Sequence, residues 1–367
     1  MITDFPYIVN NTMITYLIVI FSSLILSSLF TFLAIKIAFK LGIVDNPGLE
    51  RKIHKTSTPL LGGVAVFFAF VILALIYKND LLAGDLELHH LLGVLMGSTF
   101  LMIGGVLDDK YDLGPGKQFI FPILAVLAVV IGGVGIEKIT NPFGGLTYLD
   151  QLRIPIADFG GGMHYFMVIA DTFTILWLLG MMYTTKLLDG MDGLVTGVTA
   201  IGAFIIFLFT MTTKYYQPDI GIAALILAGV CLGFLVFNWH PAKIFLGESG
   251  SLFLGFILGV LAIISGGKIA IALLVMGIPI LDVVWTIIRR LAAGKNPLKF
   301  ADRKHLHFRL FDLGLGVRKT VLIFYLFSFV FGLSALFLQS RGKLLTLGGL
   351  VIIMLGMVIG IEKKIKM

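Results

Sequence analysis

Eleven apolar stretches, each about as long as a bilayer is thick, divide this chain and leave few folds open to it. They run near residues 14–38, 60–77, 90–107, 118–136, 164–187, 194–212, 220–237, 251–267, 269–289, 319–339 and 344–361. A helix crosses the hydrocarbon core with about 20 apolar residues. Only 13% of the residues are charged and 58% are hydrophobic, whereas a soluble domain carries roughly 25% charged residues. The deficit excludes a soluble core. The expectation is an all-α polytopic membrane protein with about 11 transmembrane helices. No internal repeat, low-complexity linker or soluble domain interrupts the pattern, so residues 1–367 read as a single integral membrane domain. The first apolar run has no basic region before it and no A-x-A-like site after it, and reads as a retained helix.

Charge orients the chain. Five Lys or Arg residues fall between 36 and 59, nine between 289 and 319, and three in the tail after 362. With eleven spans these groups share one side, which the positive-inside rule makes the cytoplasm. The N-terminus is then outside and the C-terminus cytoplasmic. The same rule accounts for the net charge of +7 without invoking nucleic acid. On the outside, TNPFGG and the alternation of Leu152, Ile154 and Ile156 predict a short hairpin near 137–156. Cys231 is the single cysteine and lies in an apolar run. It reads as a small buried residue, with no disulfide open to it within the chain.

Four polar stretches took no part in that orientation: DDKYD (108–112), LLDGMDG (187–193), NWHPAKIFLGESGS (238–251) and DRKHLHFR (302–309). All four fall on the cytoplasmic side, which predicts one polar site at the membrane boundary. A single acid there is a solvated cap. Two adjacent acids, matched by a second acid cluster, suit Mg²⁺, which takes one or two carboxylates plus phosphate and water oxygens. Asp189 and Asp192 are three apart and share a face if the fifth helix continues through them. Ser249, Gly250 and Ser251 are placed to cap the following helix, whose free N–H groups attract anions. His305 and His307, two apart, predict an extended segment presenting both rings to one side. With Arg303, Lys304 and Arg309 they form the basic cluster a pyrophosphate would need. Two close histidines and a distant thiol do not make a zinc site. Asp282 and Arg289, seven apart, read as an ion pair. Asp171 lies inside the fifth run with no assigned role.

ERKIHKTSTPLLGG (50–63), LDDKYDL (107–113), LDGMDGL (188–194), NWHPAKIFLGESGSLFLG (238–255) and ADRKHLHFRL (301–310) follow one another in this order. Together they resemble the polyprenyl-phosphate N-acetylhexosamine-1-phosphate transferases, of the glycosyltransferase family 4 type, and the WecA and TagO branch more than the MraY branch. The resemblance implies transfer of an N-acetylhexosamine-1-phosphate from a UDP-sugar, UDP-GlcNAc by the HLHFRL form, to undecaprenyl phosphate. UMP leaves, and the step opens cell-surface polysaccharide synthesis at the bacterial cytoplasmic membrane. Mg²⁺, or Mn²⁺ in its place, is the implied cofactor. Membrane lipids and a second copy of the chain are the other implied partners. By the same resemblance Asp108 and Asp109 are the catalytic pair beside the metal, and Glu248 is the third metal ligand. Asp189, Asp192, Asn238 and Phe245 line the nucleotide site, with Phe245 placed to stack on uracil. His305 and His307 are the catalytic histidine motif, Arg303 a diphosphate partner and Lys55 a nucleotide contact.

Departures stand beside these matches. Glu248 replaces the usual Asp, Tyr183 and Lys186 replace an Asn pair, and Phe308 replaces a further His. Phospho-MurNAc-pentapeptide transfer, as in the MraY branch, is the alternative within the enzymes. A CDP-alcohol phosphotransferase would need a D-G-x-x-A-R signature absent from the sequence. An ion-coupled transporter would need acids at mid-span, where only Asp171 falls.

Overall fold

The computed structural model describes residues 5–47, 57–141, 144–158, 163–266, 269–294 and 304–366. Among these are fifteen α-helices: α1 (Phe5–Leu41), α2 (Gly62–Ile76), α3 (Lys78–Leu81), α4 (Leu88–Tyr111), α5 (Pro115–Gln118), α6 (Ile120–Ile131), α7 (Val168–Leu188), α8 (Leu194–Thr210), α9 (Pro218–Asn238), α10 (Gly247–Ile264), α11 (Ile269–Val275), α12 (Gly277–Ala292), α13 (Leu306–Leu310), α14 (Gly316–Phe337) and α15 (Ser340–Lys366). Each expected apolar run carries one of these helices or a helix pair. Seven helices among the described residues are long and apolar enough to cross a membrane, and the pair α11 and α12, bent by 79°, makes an eighth if it is one span. The runs containing α2, α6 and α8 are apolar but shorter. Local chemistry cuts them. Gly193, at φ 77°, starts α8, and Gly132 and Gly133 end α6.

Helix α10 is the centre of the bundle. It is buried on every side except at Glu248 and its last residue, and it packs on α2, α4, α7, α8, α9 and α11. A helix apolar all round is expected in such a position. The outer helices show the reverse. Ile25 of α1 is 63% exposed, Leu345 and Ile352 of α15 77% and 71%, an arrangement without cost where the surroundings are lipid tails. The approach of α4 to α10 is close enough to reach backbone. A Cβ on Gly105 would lie 2.2 Å from Ser249 Cα, so only glycine fits there.

Two expectations change outside the bundle. The hairpin near 137–156 is two hairpins, β3 (Lys138–Thr140) with β4 (Leu146–Tyr148), and β5 (Arg153–Asp158) with β6 (Met163–Met167). The turn signal at Asn141 closes the first, where Asn141 N donates to Gly145 O at 3.1 Å. The earlier pair, β1 (Val44–Asp45) and β2 (Thr58–Pro59), precedes α2. Asp171 keeps its place within the α7 span but gains a role there: it lies in the first turn, where its Oδ2 accepts Met167 N at 2.8 Å. It is a cap, which explains an acid at that position. Cys231 is fully buried with a free thiol.

Candidate active site

The site forms where α4 and α7 end and α8, α10 and α13 begin, with Asp282 from the first half of α12 behind the histidines. Helix α4 stops at Tyr111 because Asp112 adopts φ 48° and ψ 67°, a left-handed conformation that Asp tolerates better than most residues. Asp112 is exposed and shapes this turn. The two acids before it point to different partners. Asp108 Oδ1 accepts Leu113 N and Gln118 Nε2, both at 2.9 Å, and its Oδ2 accepts no hydrogen bond from the described residues. Asp109 turns to α10: Oδ1 accepts Glu248 N at 2.8 Å and Oδ2 accepts Ser249 Oγ at 3.4 Å. The expected cap of α10 by its own serines is therefore replaced by a carboxylate from another helix, since Leu246 occupies the N-cap and bonds nothing with its side chain. Gly247, at φ 75°, admits this contact. A Cβ there would lie 2.6 Å from Asp109 Oδ2.

The second acid pair sits on a turn rather than a continued helix. Helix α7 ends at Leu188, and Gly190 and Gly193 break the chain before α8. The expectation that Asp189 and Asp192 share a helix face fails for this reason. Asp192 Oδ2 instead accepts Ala242 N at 3.1 Å and pairs with His240 Nδ1 at 2.7 Å. Asp189 belongs to the same charged cluster as Asp109, Glu248 and Asp192. Desolvation and then these like charges push its carboxyl up to about 8. Its surface is exposed to the cleft, so the like charges are the contribution that survives when the cleft is wet.

Asn238 and Phe245 bracket the loop between α9 and α10. The Asn238 amide is buried and fully engaged: Oδ1 accepts Gly193 N and Thr196 Oγ1 at 3.0 Å, and Nδ2 donates to Ile244 O at 2.9 Å. It ties the start of α8 to the loop. Phe245 is half-buried, and its backbone clasps the segment before α2, donating to Pro59 O at 2.8 Å and accepting Gly62 N at 3.1 Å.

The histidine motif starts a helix, so the two rings are not presented by an extended strand. His305 is the N-cap of α13 and His307 lies in its first turn. Their rings still stack, 5.7 Å apart and within 8° of parallel. His305 Nδ1 is 2.8 Å from Asp282 Oδ2, and Leu306 N donates to Asp282 Oδ1 at 2.9 Å. The partner of Asp282 is thus the histidine motif, which its spacing from Arg289 did not foretell. His307 is fully buried, with neither ring nitrogen bonded to the described residues. A Cβ on Gly190 would lie 2.6 Å from its Nε2, which places the ring against the Asp189–Gly190 turn.

Glu248 Oε1 forms an ion pair with Lys186 Nζ, and Lys186 also donates to Gln118 Oε1 at 3.2 Å. A narrow crevice between α4, α6 and α10 has Asp108, Gln118 and Glu248 at its polar end, and Phe121, Pro122 and Leu252 as apolar walls. Among the described residues no three His, Cys, Asp or Glu side chains converge as a ready-made metal cage. Mg²⁺ does not require one. Five carboxylates gather here around one ammonium, and a hard divalent cation suits that donor set. Lys55 and Arg303 lie outside the described residues. Gln118, His240 and Asp282 were not assigned from the sequence. Gln118 carried no signal, whereas His240 stood within the NWHP stretch already singled out.

Residues 91–266 match the family described as Glycosyl transferase family 4. The chain is 32% identical, over 90% of its own length and 87% of the relative, to a probable undecaprenyl-phosphate N-acetylglucosaminyl 1-phosphate transferase of Bacillus subtilis. This chain belongs to glycosyl transferase family 4. Other family 4 relatives include the decaprenyl-phosphate N-acetylglucosaminephosphotransferase of Mycobacterium tuberculosis, 29% identical over 86% of this chain and 81% of the relative. A phospho-N-acetylmuramoyl-pentapeptide-transferase of Bacillus pumilus is 32% identical, covering 73% of this chain and 80% of the relative. The family 4 match spans α4 to α10, and so contains both acid clusters and Glu248.

Proposed function

We propose that the protein transfers N-acetylglucosamine-1-phosphate from UDP-GlcNAc to undecaprenyl phosphate, releasing UMP. The observation that carries this reading is convergence. Asp108, Asp109, Asp189, Asp192, Glu248 and His307, from four separated stretches, meet at one end of the bundle. There Asp108, Gln118 and Glu248 adjoin the apolar side chains of Phe121, Pro122 and Leu252. The proposed topology has eleven spans, counting the bent pair as one and the three shorter helices as crossings. The N-terminus is outside and this end of the bundle is at the cytoplasmic surface of the bacterial inner membrane.

In this mechanism an oxygen of the acceptor phosphate attacks the sugar-linked phosphorus of the donor. That bond forms as the bond to the UMP oxygen breaks. Asp108, with Oδ2 open, accepts the proton from the fraction of acceptor phosphate that still carries one, its second pKa being about 6. Bound Mg²⁺, held by Asp108 and Glu248 with Asp189 alongside, would neutralise the diphosphate and the leaving UMP. Asp282 fixes the ring of His305, with Nδ1 carrying the proton toward the carboxylate.

The test uses purified protein with undecaprenyl phosphate, Mg²⁺ and a panel of UDP-sugars, reading UMP. Release with UDP-GlcNAc supports the proposal. Release only with UDP-MurNAc-pentapeptide moves the chain to the function named for its Bacillus pumilus relative, and no release from any donor rejects phosphoglycosyl transfer.

A further inference from the structure

Lys186 and Glu248, on different helices, form one ion pair in the folded chain. Both are largely shielded, at 21% and 16% exposure, so salt and water screen them less than a surface pair. Lys186 also holds Gln118 Oε1, and Gln118 holds Asp108 Oδ1. The ammonium is thus strung between the two acids best placed for a metal, reaching Glu248 directly and Asp108 through one amide.

One turn earlier on α7, Tyr183 stacks on Phe119 with ring centroids 4.8 Å apart, and Lys186 Nζ is 5.7 Å from the tyrosine ring. The Tyr183 hydroxyl is buried without a hydrogen-bond partner among the described residues, within electrostatic reach of Glu248. A buried hydroxyl left unpaired is costly.

We propose that Lys186 is a resident counter-ion of the acid cluster, displaced from Glu248 by an entering divalent cation and then handed to the donor diphosphate. The inference rests on the phosphoglycosyl transfer reading. A lysine and a divalent ion compete for the same carboxylate oxygen. The ammonium is a compact charge on a flexible stem, so when Glu248 takes the metal it turns to the nearest other anion, with Tyr183 donating beside it.

The test reads Mn²⁺ binding to the full chain in detergent without substrate, by the spectroscopic signal of free Mn²⁺. K186M should bind Mn²⁺ about tenfold more tightly than wild type, since a close partly buried cation is removed. K186R, which keeps the charge, should bind as weakly as wild type. In chelator K186M should melt below wild type and should gain more stability from Mn²⁺. If K186M does not fold, K186Q is read in its place. Equal Mn²⁺ affinity in wild type and the neutral variant, or tightening in K186R as well, overturns the counter-ion proposal while leaving the metal reading intact. No Mn²⁺ binding by any of them defeats the metal reading itself.

Discussion

Asp109 faces a helix start while Asp108 keeps an oxygen open, so adjacent acids answer to different tests. D108N should fold normally, because an amide oxygen still accepts Leu113 N, yet lose turnover by about 10²-fold or more. D109A should lower stability by about 1–3 kcal/mol, because the Glu248 N–H at the start of α10 loses its acceptor. Thermal unfolding and UMP release measured on the same samples separate the two. Asp282 is a positioning residue, touching His305 rather than substrate. D282N should lower kcat about 10- to 100-fold with KM little changed, and be partly rescued by D282E. Normal kcat in a destabilised D282N would assign Asp282 a structural role. Motif spacing made Asp108, Glu248 and the histidines legible. It could not reveal Asp282 as a partner of His305, because nothing in a seven-residue spacing says that a segment 23 residues later folds back onto α12. Nor could it reveal Gln118, a lone polar residue at the start of an apolar run.

At the scale of elements, run length located a helix or helix pair in every apolar stretch but not the true ends of each. The apolar run near 194–212 looks like a full span, yet α8 has 17 residues because the turn that carries Asp189 and Asp192 ends just before it. Glycines serve both purposes: they stop α7 to present acids, and they let α4 meet α10 backbone to backbone. G105A should therefore overpack that crossing. A methyl group placed 2.2 Å from Ser249 Cα must push the helices apart, at about 1–3 kcal/mol. The change should lower the melting temperature and shift Asp109 relative to Glu248, so activity falls faster than stability. Retained activity with a lowered melting temperature would show that the site tolerates the displacement.

For the whole molecule, the proposed orientation is checked by labelling. Wild type should resist maleimide in its folded state, because Cys231 is fully buried. Against that silent background T147C, exposed on the first hairpin, should react in intact cells with a membrane-impermeant reagent. K319C, exposed near the start of α14, should react only after the membrane is opened. The opposite pattern would invert the topology and move the site to the outer surface. Helix α10, which packs against six other helices, also has a bearing on how the protein is made. Of these α11 follows it, while α2, α4, α7, α8 and α9 leave the ribosome first. They must wait in the bilayer around an unfilled centre, with the Asp109 carboxylate lacking its α10 donors until synthesis has advanced some 140 residues. The acid cluster is therefore assembled late in biosynthesis, and a nascent chain arrested before α10 emerges would hold the membrane anchors of the enzyme without its chemistry.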